Sequence, residues 1–381
     1  MKRVIILGAS GNIGQQTIEI IRENPDDFTI VAVSVGNNID YLKQLVTEFP
    51  SIVSVFSLSS FPNSAKNSFS GENGLLSLLD SVSYDICVNA LVGTSGFLPS
   101  VKVLESNHTL CLANKESLVV GGFILNDLLD RGLGKLIPID SEHCGVLKTL
   151  RGREKNEIKQ VILTTSGGAL RKIPHSRLKD IKAFDALKHP TWNMGAKITI
   201  DSATMMNKAF EIIEAYYLFR VEPEQILVVQ HEQSKVHALI QLADNSLIAE
   251  ISNPDMKNSI RFALYDNGYR SSESVDPLSI LNRLDFKDIS FSRYPLLKLS
   301  YQILKRDLLL AVVFNAVNDV LVDLFLHDKI TLHDHEKIMK EAVHHFEKEI
   351  QKRHFSKNVS TVLYLMEASK NYLRRYWQIG E

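Results

Sequence analysis

Residues 189–215, HPTWNMGAKITIDSATMMNKAFEIIEA, bring His189, Trp192, Lys197, Asp201, Ser202, Asn207, Lys208, Glu211 and Glu214 into one short stretch. Its first part holds Pro190 and Gly195 and reads as a mobile loop over 189–197. Its second part reads as a helix that opens at Asp201-Ser202. On that helix Asn207, Glu211 and Glu214 fall at i, i+4 and i+7 and share one face. Met205, Met206, Phe210, Ile212 and Ile213 take most of the other positions, so apolar residues wall in the polar face. An amide, an ammonium and two carboxylates converging beside an aromatic loop suit an anionic, metal-bound substrate.

Asp140-Ser141-Glu142-His143 follows the apolar run 136–139. An Asp and a Glu two apart at a strand end can both aim an oxygen into a cleft. Hard cations such as Mg²⁺ or Mn²⁺ prefer such ligands and keep positions open for substrate oxygens. Glu211 is the best third carboxylate, with Glu214 as its support. The plainer reading makes Asp140 a helix cap and Glu142 a surface charge; the coincidence with the later helix favours metal. Thr164-Thr165-Ser166-Gly167-Gly168 is a hydroxyl- and amide-rich turn. Ser202, Asn207 and Lys208 could meet it around a monoester phosphate, Lys as a point charge and the others as directional donors. Ser202 can be cap and ligand at once. His189 gains weight from Pro190 and Trp192 beside it, Trp192 being either a lid or a packing anchor. His237 alternates with apolar neighbours, which leaves a buried structural role open, as for His231.

Gly8-Ala9-Ser10-Gly11-Asn12-Ile13-Gly14 follows an apolar strand and opens a helix. Its G-x-x-G-x-x-G spacing is a looser variant of the dinucleotide turn, in which glycines let the backbone approach a pyrophosphate at a helix N-terminus. After the second strand stands Gly36-Asn37-Asn38, with no acidic residue to bind a ribose 2′-hydroxyl. That favours NADP over NAD, although the asparagines also suit a turn. Asn114-Lys115-Glu116 sits where another strand gives way to a helix, either as ribose and nicotinamide contacts or as a plain helix start with Asn114 as cap.

The elements that must position these groups follow from periodicity. Apolar strands at 4–7, 30–35, 52–56, 86–91, 109–112 and 136–139 alternate with helical patterns such as 12–22 and 116–129, which implies a parallel, doubly wound sheet. A strand at 160–165 and β-rich segments at 226–229, 236–242 and 246–251 follow. Helical patterns then fill 296–305, 308–325, 335–350 and 359–376. The fold class is α/β: a Rossmann-like N-terminal sheet over 1–130, a central α/β catalytic domain over 131–270, a linker over 271–294 centred on the polar 271–276, and a C-terminal helical bundle over 295–381. With 45% hydrophobic and 23% charged residues the 381-residue chain has a globular composition. Its net charge of −1 implies no nucleic-acid or anionic-membrane partner. No run is expected to reach membrane-span length, and the short apolar start reads as a strand, not a signal peptide. Cys87, Cys111 and Cys144 lack C-x-x-C spacing and point to a reducing compartment, the cytoplasm.

Together the blocks ILGASGNIG, LANKESLV, DSEH, TSGG, HPTWNMGAKITIDSATMMNKAFEIIEA, SNPDM, RYPLLKL and FNAVNDV resemble the 1-deoxy-D-xylulose 5-phosphate reductoisomerase family over essentially the whole chain. The resemblance implies a homodimer using NADPH and Mg²⁺ or Mn²⁺, with Co²⁺ also acceptable. It implies the rearrangement and reduction of a phosphorylated ketose to 2-C-methyl-D-erythritol 4-phosphate. It makes Asp140, Glu142 and Glu211 the metal ligands, and Ser141, Ser166, Ser202, Asn207 and Lys208 the substrate contacts, joined by Glu142, Glu211, His189 and Trp192. Lys115, Glu142, His189, Glu211 and His237 become the catalytic set. Ser10, Gly11, Asn12 and Ile13 become the pyrophosphate contacts, with Gly36, Asn37, Asn38, Asn114, Lys115, Glu116 and Gly195 completing the cofactor side. The chain departs from the family pattern at Asn37, where a basic residue is common, at Ala169-Leu170 for Pro-Phe, at Cys144 after DSEH, and at Glu232 for proline. Two rival readings are a metal-free NAD(P) dehydrogenase and a nucleotide-sensing protein without turnover.

Overall fold

The computed structural model describes residues 1–59, 65–188, 195–266, 268 and 276–377. His189 and Trp192, and the linker 271–276 except Asp276, lie outside the described residues.

In chain order the elements are β1 (Lys2–Leu7), α1 (Asn12–Glu23), β2 (Phe28–Ser34), α2 (Ile39–Glu48), β3 (Ser54–Phe56), β4 (Asn67–Phe69), α3 (Gly74–Ser81), β5 (Ile86–Asn89), α4 (Phe97–Glu105), β6 (Thr109–Leu112), α5 (Lys115–Asp130), β7 (Lys135–Pro138) and α6 (Ser141–Thr149). There follow β8 (Ile158–Thr165), α7 (Ala183–Ala186), α8 (Ala196–Thr204), α9 (Met206–Phe219), β9 (Ile226–Gln230), β10 (Val236–Leu242), β11 (Leu247–Ile251), α10 (Met256–Leu264), α11 (Pro277–Leu281), β12 (Lys287–Asp288), α12 (Pro295–Arg306), α13 (Leu309–Leu326), α14 (Leu332–Arg353) and α15 (Val359–Trp377).

They fall into two compact units: Met1–Ser117, Leu125–Cys144 and Asp255–Ser274 form one, and Leu118–Ile124, Gly145–Pro254 and Val275–Glu381 the other. The consecutive division expected from sequence differs from these units. Residues 131–144 and the α10 segment belong to the first unit, while Leu118–Ile124 of α5 and the C-terminal helices share the second with the central sheet. Lys257 and Arg261 of α10 each lie 2.8 Å from a carboxylate of α1, Glu19 and Glu23 respectively. Tyr265 packs edge-on against Phe28. Charge pairing between helices so far apart in sequence leaves no periodic trace.

The first unit holds a seven-stranded sheet in the order β4-β3-β2-β1-β5-β6-β7. Its paired strands all run parallel. Val4, Ile5, Ile6 and Leu7 are fully buried, as a strand covered on both faces requires. Strand order reverses between β1 and β5, the switch point at whose carboxyl edge open α/β sheets bind ligands. β4 is a three-residue edge strand, too short and polar to register as a periodic pattern.

The second unit holds a five-stranded sheet, β11-β10-β8-β9-β12. One face buries Val161, Leu163, Val228, Ala238 and Ile240. The other carries Ile162, Leu227, Leu239 and Ala249, which are cross-strand neighbours, and leaves Leu227, Leu247 and Ile251 exposed. Helices α12–α15 match the expected apolar runs. α14 starts three residues before the expected 335 because Thr331 and Asp334 cap each other's backbone N–H. Contrary to expectation, α13 is long and apolar enough to cross a membrane, with mean hydropathy 2.0 over 18 residues. It is a core helix, 78% of that window being buried within the protein.

Candidate active site

The first unit presents three features along the carboxyl edge of its sheet. After β1, Gly8 takes φ +85°, and a Cβ there would lie 2.5 Å from the Ala90 carbonyl oxygen. A Cβ at Gly14 would lie 2.3 Å from the Gly8 oxygen. The turn therefore closes only with glycine at both positions. The Gly8 and Ala9 amides donate to Ser34 of β2, and the Gly11 amide donates back to the Gly8 carbonyl. This leaves α1 starting at Asn12 with Gly11 as its cap and no side-chain cap hydrogen bond. After β2, the Asn38 side chain accepts from the Tyr41 amide and caps α2, the turn-forming alternative.

After β6, the Asn114 side chain is buried and fully committed. Its Nδ2 donates to the carbonyls of Leu91 and Gly93, both at 2.8 Å, and its Oδ1 accepts from the Ser117 amide. The helix-start reading of Asn114 is thus the one its side chain fulfils, and its backbone N–H is also taken, donating to the Asn89 carbonyl at 3.1 Å. Lys115, next in sequence, reaches Asp140 beyond β7: Nζ lies 2.6 Å from Oδ2. Asp140 also caps α6, accepting from the Glu142 amide at 3.3 Å. Its Oδ1 lies 3.2 Å from Nδ1 of the buried His143. The Ser141 hydroxyl donates to Glu142 Oε2 at 2.6 Å. Cap and charge partner are therefore both true of Asp140.

In the second unit the expected helix opening at Asp201 is not observed. α8 already begins at Ala196, so Asp201 is buried mid-helix and the expected loop ends at Gly195, before Lys197. The break falls at Met205, which adopts a left-handed backbone (φ 65°) between α8 and α9. The Thr204 hydroxyl bonds back to the Ile200 carbonyl at 3.0 Å, closing the last turn of α8. Two short helices replace one long one, and sequence pattern is blind to a single αL residue. On α9 the expected face forms: Asn207 Nδ2 and Lys208 Nζ both donate to the Glu211 carboxylate, which is buried. Glu214 is buried one turn on.

The turn after β8 meets α8 directly. Gly168 has φ +67°, and a Cβ there would lie 2.5 Å from the Ser202 carbonyl oxygen. The chain two residues after Ser166 therefore lies against the Ser202 backbone. Arg171 binds the Gly168 carbonyl at 3.1 Å and Glu232 at 3.1 Å. Lys287 also binds Glu232, and the two cations hold its carboxyl below the usual range, Lys287 contributing most. The departure from proline at Glu232 thus ties the Gly167-Gly168 turn to the β9–β10 connection.

His231 is structural. Its Nδ1 meets the Asp285 carbonyl at 2.8 Å, its Nε2 accepts from the Lys235 amide, and its ring stacks on Phe286. His237 is the residue that sequence alternation placed least well. Val236 pairs with Ile251 and Ala238 with Glu250, so His237 is the extra residue of a β-bulge. Val236, His237 and Ala238 are consequently all buried. Bulges re-aim a side chain and recur beside active sites, which alternation alone cannot reveal.

Models of known families match three stretches. Residues 4–122 match 1-deoxy-D-xylulose 5-phosphate reductoisomerase, 136–219 its C-terminal domain, and 251–372 the DXP reductoisomerase C-terminal domain. The 1-deoxy-D-xylulose 5-phosphate reductoisomerase of Geobacillus sp. (strain WCH70) is 39% identical over 91% of this chain and 93% of its own length. That of Listeria innocua is 35% identical over 98% and 99%. A crystal structure of DOX-P reductoisomerase with NADPH, fosmidomycin and magnesium superposes with TM-score 0.90, at 29% identity over 100% of this chain and 99% of that one. The Zymomonas mobilis enzyme in complex with NADPH gives TM-score 0.85, at 27% identity over 97% of each chain.

Proposed function

The chain belongs to the 1-deoxy-D-xylulose 5-phosphate reductoisomerase family, and from that premise we infer that it rearranges and reduces 1-deoxy-D-xylulose 5-phosphate to 2-C-methyl-D-erythritol 4-phosphate with NADPH and a divalent cation. One observation within the first unit carries the reading. A turn that admits no Cβ at Gly8 or Gly14 and a buried ammonium–carboxylate pair share the carboxyl edge of one parallel sheet. A plain sensor has no use for the second, and a metal-free dehydrogenase has no use for a further buried carboxylate at Glu211.

The residues fit both groups. Gly8, Gly11 and Gly14 leave room for a pyrophosphate at the start of α1, where amides and helix dipole favour an anion. Ser10, Asn12 and Ile13 would contact it, and Gly36, Asn37, Asn38, Glu116 and Gly195 would complete the cofactor side. Asp140, Glu142 and Glu211 are the carboxylates we assign to the cation, on the family pattern that the chain carries at these positions. An all-oxygen set suits Mg²⁺ or Mn²⁺.

When bound, NADPH supplies the hydride and the cation supplies Lewis-acid stabilisation of charge on the substrate's oxygens. The chain's own groups do the rest. Lys115 pairs with Asp140 and Ser141 orients Glu142. Ser166, Ser202, Asn207 and Lys208 would hold the phosphate, so that binding energy remote from the reacting bonds aligns them. His189 and Trp192 would cover the substrate, and His237, set off by its bulge, would face its reacting part. The functional division proposed remains an NADPH part at 1–130, a catalytic part at 131–270, a linker at 271–294 and a helical part at 295–381.

The exposed apolar sheet face with Leu227, Leu247 and Ile251 supports a homodimer. Sedimentation of a Leu247→Lys variant as a monomer would agree; an unchanged dimer would point to another face. Three buried, free cysteines support a cytoplasmic location. The function is tested by mixing purified protein with 1-deoxy-D-xylulose 5-phosphate, NADPH and Mg²⁺ or Mn²⁺ and following absorbance at 340 nm. Cation-dependent oxidation of NADPH is expected, while a flat trace in protein that binds NADPH would overturn the reading.

A further inference from the structure

The FNAVNDV segment lies in α13, and the function above does not absorb it. Asn318 sits fully buried in that apolar helix. Its Nδ2 donates to Asp201 Oδ1 at 2.7 Å, and its Oδ1 lies 3.1 Å from His335 Nε2. Asp201, also buried, accepts from Lys197 Nζ on Oδ2 at 2.8 Å, and Lys197 reaches Asp319 Oδ1 at 3.3 Å. A chain of polar contacts therefore runs from α14 through α13 to α8, wholly inside the second unit.

Chemistry sets the direction of each bond. A carboxylate only accepts, so Asn318 must turn its amide nitrogen to Asp201. The amide oxygen is left for His335, whose Nε2 must then carry the proton. Burial pushes this imidazole down to about 4, so the ring is neutral at pH 7. Few side chains of this size can donate to a carboxylate and accept from an imidazole at once. Asp would set like charges face to face, and Leu would remove the partner of Asp201 Oδ1 and of His335 Nε2.

A bland reading makes this network a staple between helices. Its far end points further. Ile200 and Ala203 of α8 pack with Val322 and Phe325 of α13 and Leu332 of α14 in one apolar cluster. Such a contact is non-directional and tolerates rotation of α8, whereas a buried, doubly bonded carboxylate does not. Asp201 immediately precedes Ser202, the residue on whose carbonyl Gly168 rests. We propose that Asn318 is a positioning residue: through Asp201 it fixes the rotation of α8 and so orients Ser202 toward the substrate's phosphate. The proposal rests on reading Ser202 as a substrate contact.

The experiment compares wild type, Asn318→Leu, Asn318→Asp and the exchange Asp201→Asn with Asn318→Asp. In the exchange, amide and carboxylate trade places, and the bonds to Lys197 and His335 and between the pair all survive. The single variants are expected to raise KM for 1-deoxy-D-xylulose 5-phosphate about tenfold, with kcat changed less than about threefold and NADPH affinity unchanged. The exchange is expected to return KM to within about threefold of wild type. Asn318→Ser replaces the leucine variant should that one not fold. Folded variants with lowered Tm but unchanged KM would overturn the proposal, as would an exchange that folds without restoring KM. Wild-type protein that binds NADPH yet leaves this substrate unreacted would overturn the functional reading, and this proposal with it.

Discussion

Lys115 Nζ lies 2.6 Å from Asp140 Oδ2, with the two side chains only 8% and 11% exposed. Breaking a buried pair by removing one partner typically costs about 3–5 kcal/mol, because the remaining charge stays desolvated. Lys115→Met should therefore lose stability of that order in denaturant unfolding, as well as turnover. Replacing both members by Met and Leu should recover most of the stability while the enzyme remains inactive. A single variant of wild-type stability would show that the pair is better solvated than its geometry implies.

Glu211 is buried with Asn207 and Lys208 both donating to it. Glu211→Gln keeps the shape and removes the charge. Turnover should fall on the order of 10³-fold, since cation stabilisation of the reacting oxygens is worth several kcal/mol. NADPH affinity, read by fluorescence titration, should barely change. Chelation by EDTA should silence the wild type reversibly. A folded Glu211→Gln protein with substantial activity would remove Glu211 from the metal set.

Gly168→Ala meets two obstacles, a φ of +67° and a Cβ 2.5 Å from the Ser202 oxygen. The αL backbone alone costs roughly 1–2 kcal/mol for a residue with a Cβ. Gly152→Ala, at φ +74° with open space around it, isolates that first cost. Gly168→Ala should match it in stability or exceed it, and should also raise KM for the phosphorylated substrate. Equal KM values in the two variants would separate the turn from substrate binding.

His335 provides an acid-sensitive element. Its folded pKa, about 4, lies below the 6.5 of an exposed imidazole, and burial is the main cause, opposed by the charge of Glu336. Between those two values the unfolded chain binds a proton that the folded chain does not. Stability from this group is therefore fully present above pH 6.5 and is lost as pH falls toward 4. The full loss is roughly 3 kcal/mol. Thermal melts of His335→Gln should show a shallower fall in Tm over that window than wild type.

Much of the site could be read from residue types and spacing. The glycine turn, the Asp140/Glu142 pair and the i, i+4 relation of Asn207 and Glu211 are local features, and local features survive in sequence order. The parallel strands were legible for a related reason: a strand buried on both faces must be apolar throughout. The corrections arose where one backbone angle or one distant partner decides. Met205 in the left-handed region splits the expected helix, a one-residue bulge places His237, and Lys257 and Arg261 draw α10 onto α1.

What the sequence determined by itself was which groups exist and which neighbours share a face, because helix and strand periods follow from backbone geometry alone. Only the tertiary structure decided that Lys115 neutralises Asp140, that Gly168 presses on Ser202 and that Asn318 ties α13 to Asp201. Each of these joins residues far apart in the chain. Pairing of that kind is set by packing and by the need to satisfy buried polar groups, and neither leaves a period in the sequence.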